Sequence, residues 1–295
     1  MELRVLKYFL MVAREENITR AASLLHVSQP SISRQLMQLE DELGVKLFNR
    51  SNHSIVLTDE GLLLKRRAQE MLALAEKTKT ELVGEDEIRG VISIGAGELK
   101  SSAFLAEIMT AFHKEYPQVK YDFYSGNADN IKERIERGIL DVGLLLEPVE
   151  ISKYDFIRIP IKEIWGAYVR EDSPFAKKDC LMPEDFEGKS VIMSSRTIIR
   201  NELSNWFGEY MESIEVVAGG NLPYNMAMLA AQQLGIFVTL DLNCRYEGLK
   251  FIPLSPSSEL GSVLSWKKAQ PHSRTVEKFL EFAKKCIKRI SKHIL

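Results

Sequence analysis

Apolar residues recur at helical spacing in three short segments of the first forty residues. In the first segment these side chains share one helical face, at Leu3, Leu6, Phe9, Leu10 and Ala13. A second helix is predicted to begin near Thr19, whose hydroxyl can cap the free N–H groups of its first turn. A third is predicted to begin at Ser28, because Ser is a good cap and Pro30 needs no hydrogen-bonding N–H in a first turn.

The corner between the second and third helices falls at His26-Val27 and requires a positive φ, which His tolerates. The third helix is expected to leave a polar tip outside, made of Gln29, Ser31, Ser33 and Arg34. Recognition helices place their N-terminal residues against base edges in the major groove, where Gln, Arg and Ser can pair with bases. The pattern predicts a helix-turn-helix, although any compact three-helix module could show two capped helices.

A hairpin, or wing, is predicted after the third helix, which Gly44 is expected to end. The segment VKLFNRSNHSIVLT contains two short β-rich runs around residues 49–53. Arg50 and His53 would lie at the tip of this wing, where they could reach phosphate or the minor groove. An ordinary surface hairpin is the alternative interpretation, for His53 in particular.

Thr58 is predicted to cap a long helix, with Asp59 and Glu60 in its favourable first turn. Its apolar positions recur at helical spacing: Leu62, Met71, Leu72, Ala75 and Leu82. We interpret this stripe as a dimerisation face, because little globular sequence lies nearby to bury it. A helix packed on its own domain is the alternative. The charged segment at residues 84–90, GEDEIRG, is predicted to be a hinge.

The remaining residues alternate between strand-like and helix-like segments, which predicts βαβ units and a mostly parallel sheet. The predicted strands are GVISIGAGE, VKYDFYSG, DVGLLLEP, IWGAYVRE, KSVIMSS, IEVVAGG and IFVTLD. Gly235 is expected to end the helix in PYNMAMLAAQQLG, and a final helix is expected in SRTVEKFLEFAKKCIKRI. Two similar α/β halves joined by crossing strands would enclose a cleft.

Ligands of such sheets gather beyond the carboxyl ends of the strands. The polar residues expected at these ends are Ser101, Ser102, Ser125, Asn127, Ser194, Ser195, Arg196, Thr197, Asn221 and Tyr224. Hydroxyls and amides near helix N-termini can hold a carboxylate or another anion, and Arg196 could pair with a carboxylate in a bidentate manner. Each residue alone could instead be a simple helix cap.

Composition limits the classes of function. The 295 residues suggest at least two domains, and the formal net charge of -2 requires any DNA-binding surface to be local. The three cysteines, Cys180, Cys244 and Cys286, lie far apart and predict reduced thiols, with no metal site and no cofactor. Neither a signal peptide nor a membrane span is predicted, so a cytoplasmic protein is expected.

Catalysis lacks support in the sequence, and we expect no enzyme. There is no GxSxG or Walker loop, and GAGELK lacks the third glycine of a dinucleotide-binding fingerprint. A stand-alone solute-binding protein would leave the first sixty residues unexplained. A nucleoid-type architectural protein would leave the cleft unexplained.

The segment NITRAASLLHVSQPSISRQLMQLEDELGVKLFNRSNHSIVLTDEG resembles the DNA-binding module of LysR-type transcriptional regulators. The resemblance implies an α-rich winged helix-turn-helix domain followed by a two-lobed α/β domain like a periplasmic binding protein. The expected DNA-binding residues are Thr19, Ser28, Gln29, Pro30, Ser31, Ser33, Arg34, Gln38, Arg50 and His53. The wing departs from the family by having few basic residues, which predicts modest sequence-independent affinity.

The resemblance also implies boundaries and partners. The DNA-binding domain is expected at 1–58 and the connecting helix and hinge at 59–89. The effector domain is expected at 90–295, with one lobe at 91–161 and 267–295 and the other at 162–266. Expected partners are double-stranded promoter or operator DNA, a small-molecule effector such as a metabolite, a second copy in a homodimer or tetramer, and RNA polymerase. Leu99 stands where the family often has a hydroxyl.

Overall fold

The computed structural model describes residues 1–50, 55–82 and 87–294. The chain forms two compact units, Met1–Glu85 and Asp86–Leu295. Within the described ranges, no helix combines the length and the apolar character that a membrane crossing demands.

The first unit is a three-helix module with a β-hairpin and a long helix. Its elements are α1 (Leu3–Glu15), α2 (Ile18–Leu24), α3 (Gln29–Leu43), β1 (Phe48–Arg50), β2 (Ile55–Leu57) and α4 (Asp59–Leu82). On α3, Ile32, Leu36 and Leu39 are buried, and β1 pairs antiparallel with β2. The helix-turn-helix and the strands of the wing are therefore present as the sequence predicts. The wing tip, including His53, lies outside the described residues.

The backbone corners of this module confirm two expectations and correct a third. His26 has φ 55° at the corner, and Gly44 has φ 69° at the end of α3. The prediction that Thr19 caps α2 is wrong. Asn17 precedes the helix with an extended backbone, and its Oδ1 accepts a hydrogen bond from the Arg20 N–H at 2.9 Å. Asn caps a helix as well as Ser or Thr does, so the helix begins earlier.

One buried carboxylate joins α3 to the wing. Glu40 Oε1 accepts hydrogen bonds from the Leu47 and Phe48 N–H groups at 2.8 and 3.3 Å, and Glu40 Oε2 lies 3.2 Å from Lys46 Nζ. Burial alone would raise the pKa of Glu40. The hydrogen bonds from the Leu47 N–H, the Lys46 ammonium and the Phe48 N–H outweigh burial and hold that pKa below its usual value of 4.5.

Thr58 joins the wing to α4. Its Oγ1 accepts the Gly61 N–H at 3.0 Å, which confirms the predicted cap, and donates to the Lys46 carbonyl at 2.7 Å. Gly61 is required here by close approach, because an added Cβ would lie 2.1 Å from the Leu47 carbonyl oxygen. The start of α4 is therefore fixed against the base of the wing.

The apolar stripe of α4 divides between two faces. Ala68 is buried in the core of the first unit, and Met71 and Leu72 pack against that core, as the alternative interpretation of this helix required. An ion pair of 3.3 Å between Lys7 and Glu76 also joins α4 to α1. Leu62 is 54% exposed, and the exposed face also includes Leu63 and Leu74. Met71 and Leu72, which were predicted to belong to the dimerisation face, therefore pack instead on the core of their own unit.

The second unit contains two α/β lobes. Its strands are β3 (Gly90–Ala96), β4 (Val119–Ser125), β5 (Val142–Leu146), β6 (Tyr154–Arg170), β7 (Ser190–Ser194), β8 (Glu215–Gly220), β9 (Ile236–Leu240), β10 (Leu249–Pro253) and β11 (Glu259–Lys267). Its helices are α5 (Ser101–Glu115), α6 (Ala128–Glu136), α7 (Thr197–Phe207), α8 (Pro223–Ala231) and α9 (Arg274–Ile294). The strand order is β4-β3-β5-β11-β6-β9-β7-β8, with β10 beside β6.

The long strand β6 passes through both lobes. Its residues 154–164 pair with β11, and residues 165–170 pair with β9 and β10. All of these pairs are antiparallel, whereas β3, β4 and β5 are parallel within one lobe and β7, β8 and β9 within the other. The prediction of a mostly parallel sheet is therefore corrected to a mixed one, because two crossing strands run against their neighbours.

Strand β11 also bears on the lobe boundaries. Residues 262–265 pair with β5, and residues 262–267 pair with the first part of β6. Residues 262–266 therefore lie beside the strands of the first lobe, although the sequence interpretation assigned them to the second. Neither β10 nor β11 is among the strands predicted from the sequence.

The expectation that Gly235 ends α8 is wrong. That helix ends at Ala231, and the left-handed residue beyond it is Gln233, with φ 66°. Gly235 instead allows close approach, because an added Cβ would lie 2.7 Å from the Ser190 carbonyl oxygen. The C-terminal helix α9 is present as predicted. It packs on α5 through Phe279 and Phe112, whose ring centroids are 5.3 Å apart.

We expect Glu40→Gln to lower the free energy of unfolding of the first unit by about 1–3 kcal/mol, because an amide would face the Lys46 ammonium in place of a carboxylate. Since the folded pKa of Glu40 is depressed, its contribution is present above pH 4.5 and is lost as the pH falls through the folded value. Amide hydrogen exchange at Leu47 and Phe48, followed against pH, measures both effects.

Asp41→Asn is the matched control, since Asp41 is an exposed carboxylate of the same helix. Equal exchange at Leu47 and Phe48 in the two variants would contradict the role given to Glu40.

Candidate functional site

The N-terminal tip of α3 is a polar surface. Gln29, Ser31, Arg34 and Gln38 are exposed, and Ser33 is half-buried. Gln29 Nε2 donates to Ser33 Oγ at 2.9 Å, which orients the amide on the helix surface. A glutamine side chain can pair with adenine, and Gln29 presents one at the start of a helix. This tip therefore has the geometry for contacting base edges.

Ser28 and Pro30 begin this helix as the sequence predicted, but Ser28 does not cap it through its side chain. Ser28 has the extended backbone of a cap residue, and among the described residues its hydroxyl makes no capping hydrogen bond. The Ser31 N–H donates to the Ser28 carbonyl at 3.1 Å, and Pro30 has no N–H. The Ser28 hydroxyl and the Gln29 N–H therefore remain as the donors at this helix start that suit a phosphate oxygen.

The other predicted DNA-binding residues are more scattered. Thr19 is exposed on α2, one helix away from the tip of α3. The backbone of Arg50 lies at the end of β1, but its side chain, like all of His53, is outside what the structure describes. The polar tip of α3 is therefore the surface on which the DNA-binding hypothesis rests.

A cavity of about 110 Å³ lies between the two lobes of the second unit. Four predicted effector-binding residues line it: Asn127, Ser194, Arg196 and Asn221. The other predicted residues are absent from its lining: Ser101, Ser102, Ser125, Ser195, Thr197 and Tyr224. The four lining residues lie at or just beyond the carboxyl ends of β4, β7 and β8, so the rule of strand carboxyl ends identified part of the cavity lining.

Ser101 is outside the cavity because the N-terminus of α5 is already occupied by a carboxylate. Glu163, which is fully buried on β6, accepts the Lys100 N–H at 2.8 Å and the Ser101 N–H at 3.0 Å. The Ser101 hydroxyl accepts from Ser262 Oγ at 2.9 Å. An anionic ligand therefore cannot use this helix end, which the sequence had suggested for it.

Arg196 is engaged across the cleft. Its Nε donates to Asp129 Oδ2 at 3.1 Å, and its side chain is only 10% exposed. Asp129 belongs to α6 of the first lobe, whereas Arg196 precedes α7 of the second. Lys100 and Asp241 form a second ion pair between the lobes, with Nζ and Oδ2 3.8 Å apart. Two ion pairs therefore connect the lobes beside the cavity.

The walls of the cavity are largely apolar, which the search for polar strand ends missed. Leu99, Trp165 and Phe237 line it, as do Leu144 and Met226. Trp165 and Phe237 lie within strands, where sequence patterns alone predict core packing. Glu98, two residues beyond the end of β3, also lines the cavity and was not predicted. Its position beyond the end of a strand is the feature of the sequence that could have predicted its place in the cavity.

The comparisons with known proteins agree with this architecture. Residues 3–62 match the family model of bacterial regulatory helix-turn-helix proteins of the lysR family, and residues 85–286 match that of the LysR substrate binding domain. The chain belongs to the LysR family. The predicted fold class, an α-rich winged helix-turn-helix domain followed by a two-lobed α/β domain, is confirmed for this LysR-family chain.

Similar proteins cover from about two thirds to nearly all of this LysR-family chain. It is 26% identical over 297 residues to the uncharacterized HTH-type transcriptional regulator YwqM of Bacillus subtilis, covering 98% of this chain and 100% of that protein. The dual regulator OxyR of Escherichia coli is 29% identical over 195 residues, which are 65% of this chain and 63% of OxyR. The crystal structure of CbnR, a LysR family transcriptional regulator, has the same fold, with a TM-score of 0.75 and 20% identity over 97% of this chain and 99% of CbnR.

We expect Glu163→Gln to lower the free energy of unfolding of the second unit by about 1–3 kcal/mol, because an amide N–H₂ would face a backbone N–H donor at the start of α5. Chemical denaturation of the full chain measures the change. Glu171→Gln is the control, since Glu171 is exposed. A midpoint shift no larger than that of the control would contradict the role of Glu163.

Proposed function

We propose that this LysR-family protein is a sequence-specific transcriptional regulator whose winged helix-turn-helix binds DNA and whose inter-lobe cavity binds a small effector. The observation that carries the proposal is the polar tip of α3, whose residues are mostly exposed, on a module in which a buried carboxylate joins α3 to the wing. Family membership supports the same function, and relatives such as YwqM and OxyR are described as transcriptional regulators.

In this proposal α3 enters the major groove with Gln29, Ser33 and Arg34 at base edges. Ser28, Ser31 and Thr19 contact phosphates, while Pro30 shapes the helix start and Gln38 reaches further along the groove. Arg50 and His53 extend the contact from the wing. With few basic residues in the wing, few phosphates are neutralised, so affinity for unrelated DNA is low.

A dimer with two-fold symmetry requires a surface on each chain that binds a second copy of the chain. The exposed face of α4, which includes Leu62, Leu63 and Leu74, supports pairing of this helix with that of a partner chain. A homodimer, or a tetramer made of two dimers, presents two recognition helices to two half-sites. Contact with RNA polymerase at a promoter completes the proposal and rests on family membership alone.

The effector part of the proposal follows from the position of the cavity. Side chains of both lobes line it, and two ion pairs connect the lobes beside it. A ligand that contacts both lobes stabilises one relative arrangement of them, and the coupling to DNA binding is reciprocal. The effector therefore changes DNA binding, and DNA changes the affinity for the effector.

We expect Gln29→Ala to relax specificity at one position of each half-site, at a cost of about 1–3 kcal/mol, because a bidentate contact to a base edge is lost. Selection of binding sites from random duplex DNA measures the change. Gln69→Ala is the control, since Gln69 is an exposed glutamine of α4. An unchanged consensus in Gln29→Ala would remove Gln29 from the base-reading set.

DNase footprinting on the selected site, with and without a panel of small metabolites, tests the proposed function as a whole. We expect protection of two half-sites about one helical turn apart, and a change in the pattern with the effector. Protection that no metabolite alters would contradict an effector-dependent regulator. An absence of sequence-specific protection would contradict the DNA-binding proposal itself.

A further inference from the structure

The cavity between the lobes carries one negative and one positive side chain. Glu98 comes from the loop after β3 in the first lobe, and Arg196 comes from the loop after β7 in the second. The other lining residues are neutral, and the polar ones are Asn127, Ser194, Asn221 and Thr239. A bound molecule that touches both charges therefore spans the two lobes.

Glu98 lines the cavity and is exposed to solvent. Among the described residues, no hydrogen bond or ion pair reaches its carboxylate, and partial burial by neighbouring atoms raises its pKa above the usual value. A carboxylate in this condition repels a simple anionic ligand and attracts a cation that can also donate hydrogen bonds. An ammonium group meets both requirements.

The guanidinium of Arg196 is only partly used. Asp129 accepts from its Nε, whereas both Nη atoms donate to no other described residue. The ion pair with Asp129 holds Arg196 in place with its side chain nearly buried. The Nη edge therefore remains for an acceptor in the cavity, and a carboxylate is the acceptor whose geometry fits it.

The size and walls of the cavity limit what lies between these two charges. Its volume of about 110 Å³ is below the roughly 300–1,000 Å³ of pockets for drug-sized ligands. Leu99, Trp165, Met226 and Phe237 provide apolar surface. The ligand is therefore small, has an apolar part and carries no further charge.

We propose that the effector is an apolar α-amino acid, bound as a zwitterion with its ammonium group at Glu98 and its carboxylate at the Nη atoms of Arg196. This inference rests on the proposed function, since it assumes that the inter-lobe cavity is the effector site. A simple carboxylic acid would leave Glu98 unpaired beside a second negative charge. A simple amine would leave the Nη edge of Arg196 without an acceptor.

Calorimetric titration of the full chain tests the inference with matched probes. The probes are leucine, methionine and phenylalanine, each with its deaminated acid and its decarboxylated amine. We expect at least one amino acid to bind, with its acid and its amine each weaker by at least about tenfold, because each lacks one charge-assisted hydrogen-bonding group. Binding of no amino acid, or equal binding of an acid or amine, would overturn the proposal.

The variant Glu98→Gln separates the pairing from a structural effect. It keeps the shape of the side chain and removes the charge. The ratio of the affinity for the amino acid to that for its deaminated acid should therefore fall to the value expected when an uncharged group binds the ammonium. Glu107→Gln is the control, since Glu107 is an exposed glutamate of α5, and this variant should keep the ratio of the unaltered chain. A preference that survives in Glu98→Gln would exclude Glu98 as the ammonium partner. The measurement on the unaltered chain stands even if a variant fails to fold.

Footprinting with the same probes distinguishes this inference from the proposed function. If an acid binds and alters the footprint while no amino acid does, the effector-dependent regulator stands and the zwitterion inference falls. If an amino acid binds as expected but leaves specific DNA protection unchanged, the ligand class stands and the proposed coupling to DNA falls.

Discussion

The architecture of the second unit depends on one strand that belongs to two sheets. β6 pairs with β11 through residue 164 and with β9 and β10 from residue 165 onward, so the lobes meet where it changes neighbours. Glu163, on one side of this point, holds the start of α5, and Trp165, on the other, lines the cavity. A continuous backbone therefore connects the residue that holds the start of α5 to a residue in the wall of the cavity.

Buried carboxylates perform the same task in both units. Glu40 accepts backbone N–H groups at the base of the wing, and Glu163 accepts those at the start of α5. A charged acceptor satisfies N–H groups that burial would otherwise leave unpaired, and such bonds are stronger than neutral ones. In the first unit this arrangement fixes the wing relative to the recognition helix. In the second it occupies a helix end that an anionic ligand could otherwise use, and the charged side chains that line the cavity are those of Glu98 and Arg196.

The tip of α3 and the inter-lobe cavity of this LysR-family protein differ in the chemical groups that they present. The tip of α3 presents mostly uncharged polar groups on a helix, with Arg34 as its cation, which suits the reading of bases more than general attraction to phosphate. The cavity presents two opposite charges, one from each lobe.

Elements whose signals are local could be predicted from the sequence. The helix-turn-helix, the corner at His26, the cap at Thr58 and the strand–helix alternation all follow from side chains near one another in the chain. Contacts between residues far apart in the chain became visible only in the folded protein. The tertiary structure placed Glu163 against the N–H groups of Lys100 and Ser101, paired Arg196 with Asp129, and turned part of the α4 stripe toward α1. Such contacts join residues tens of positions apart, so no local pattern of hydrophobicity, capping or turn chemistry encodes them.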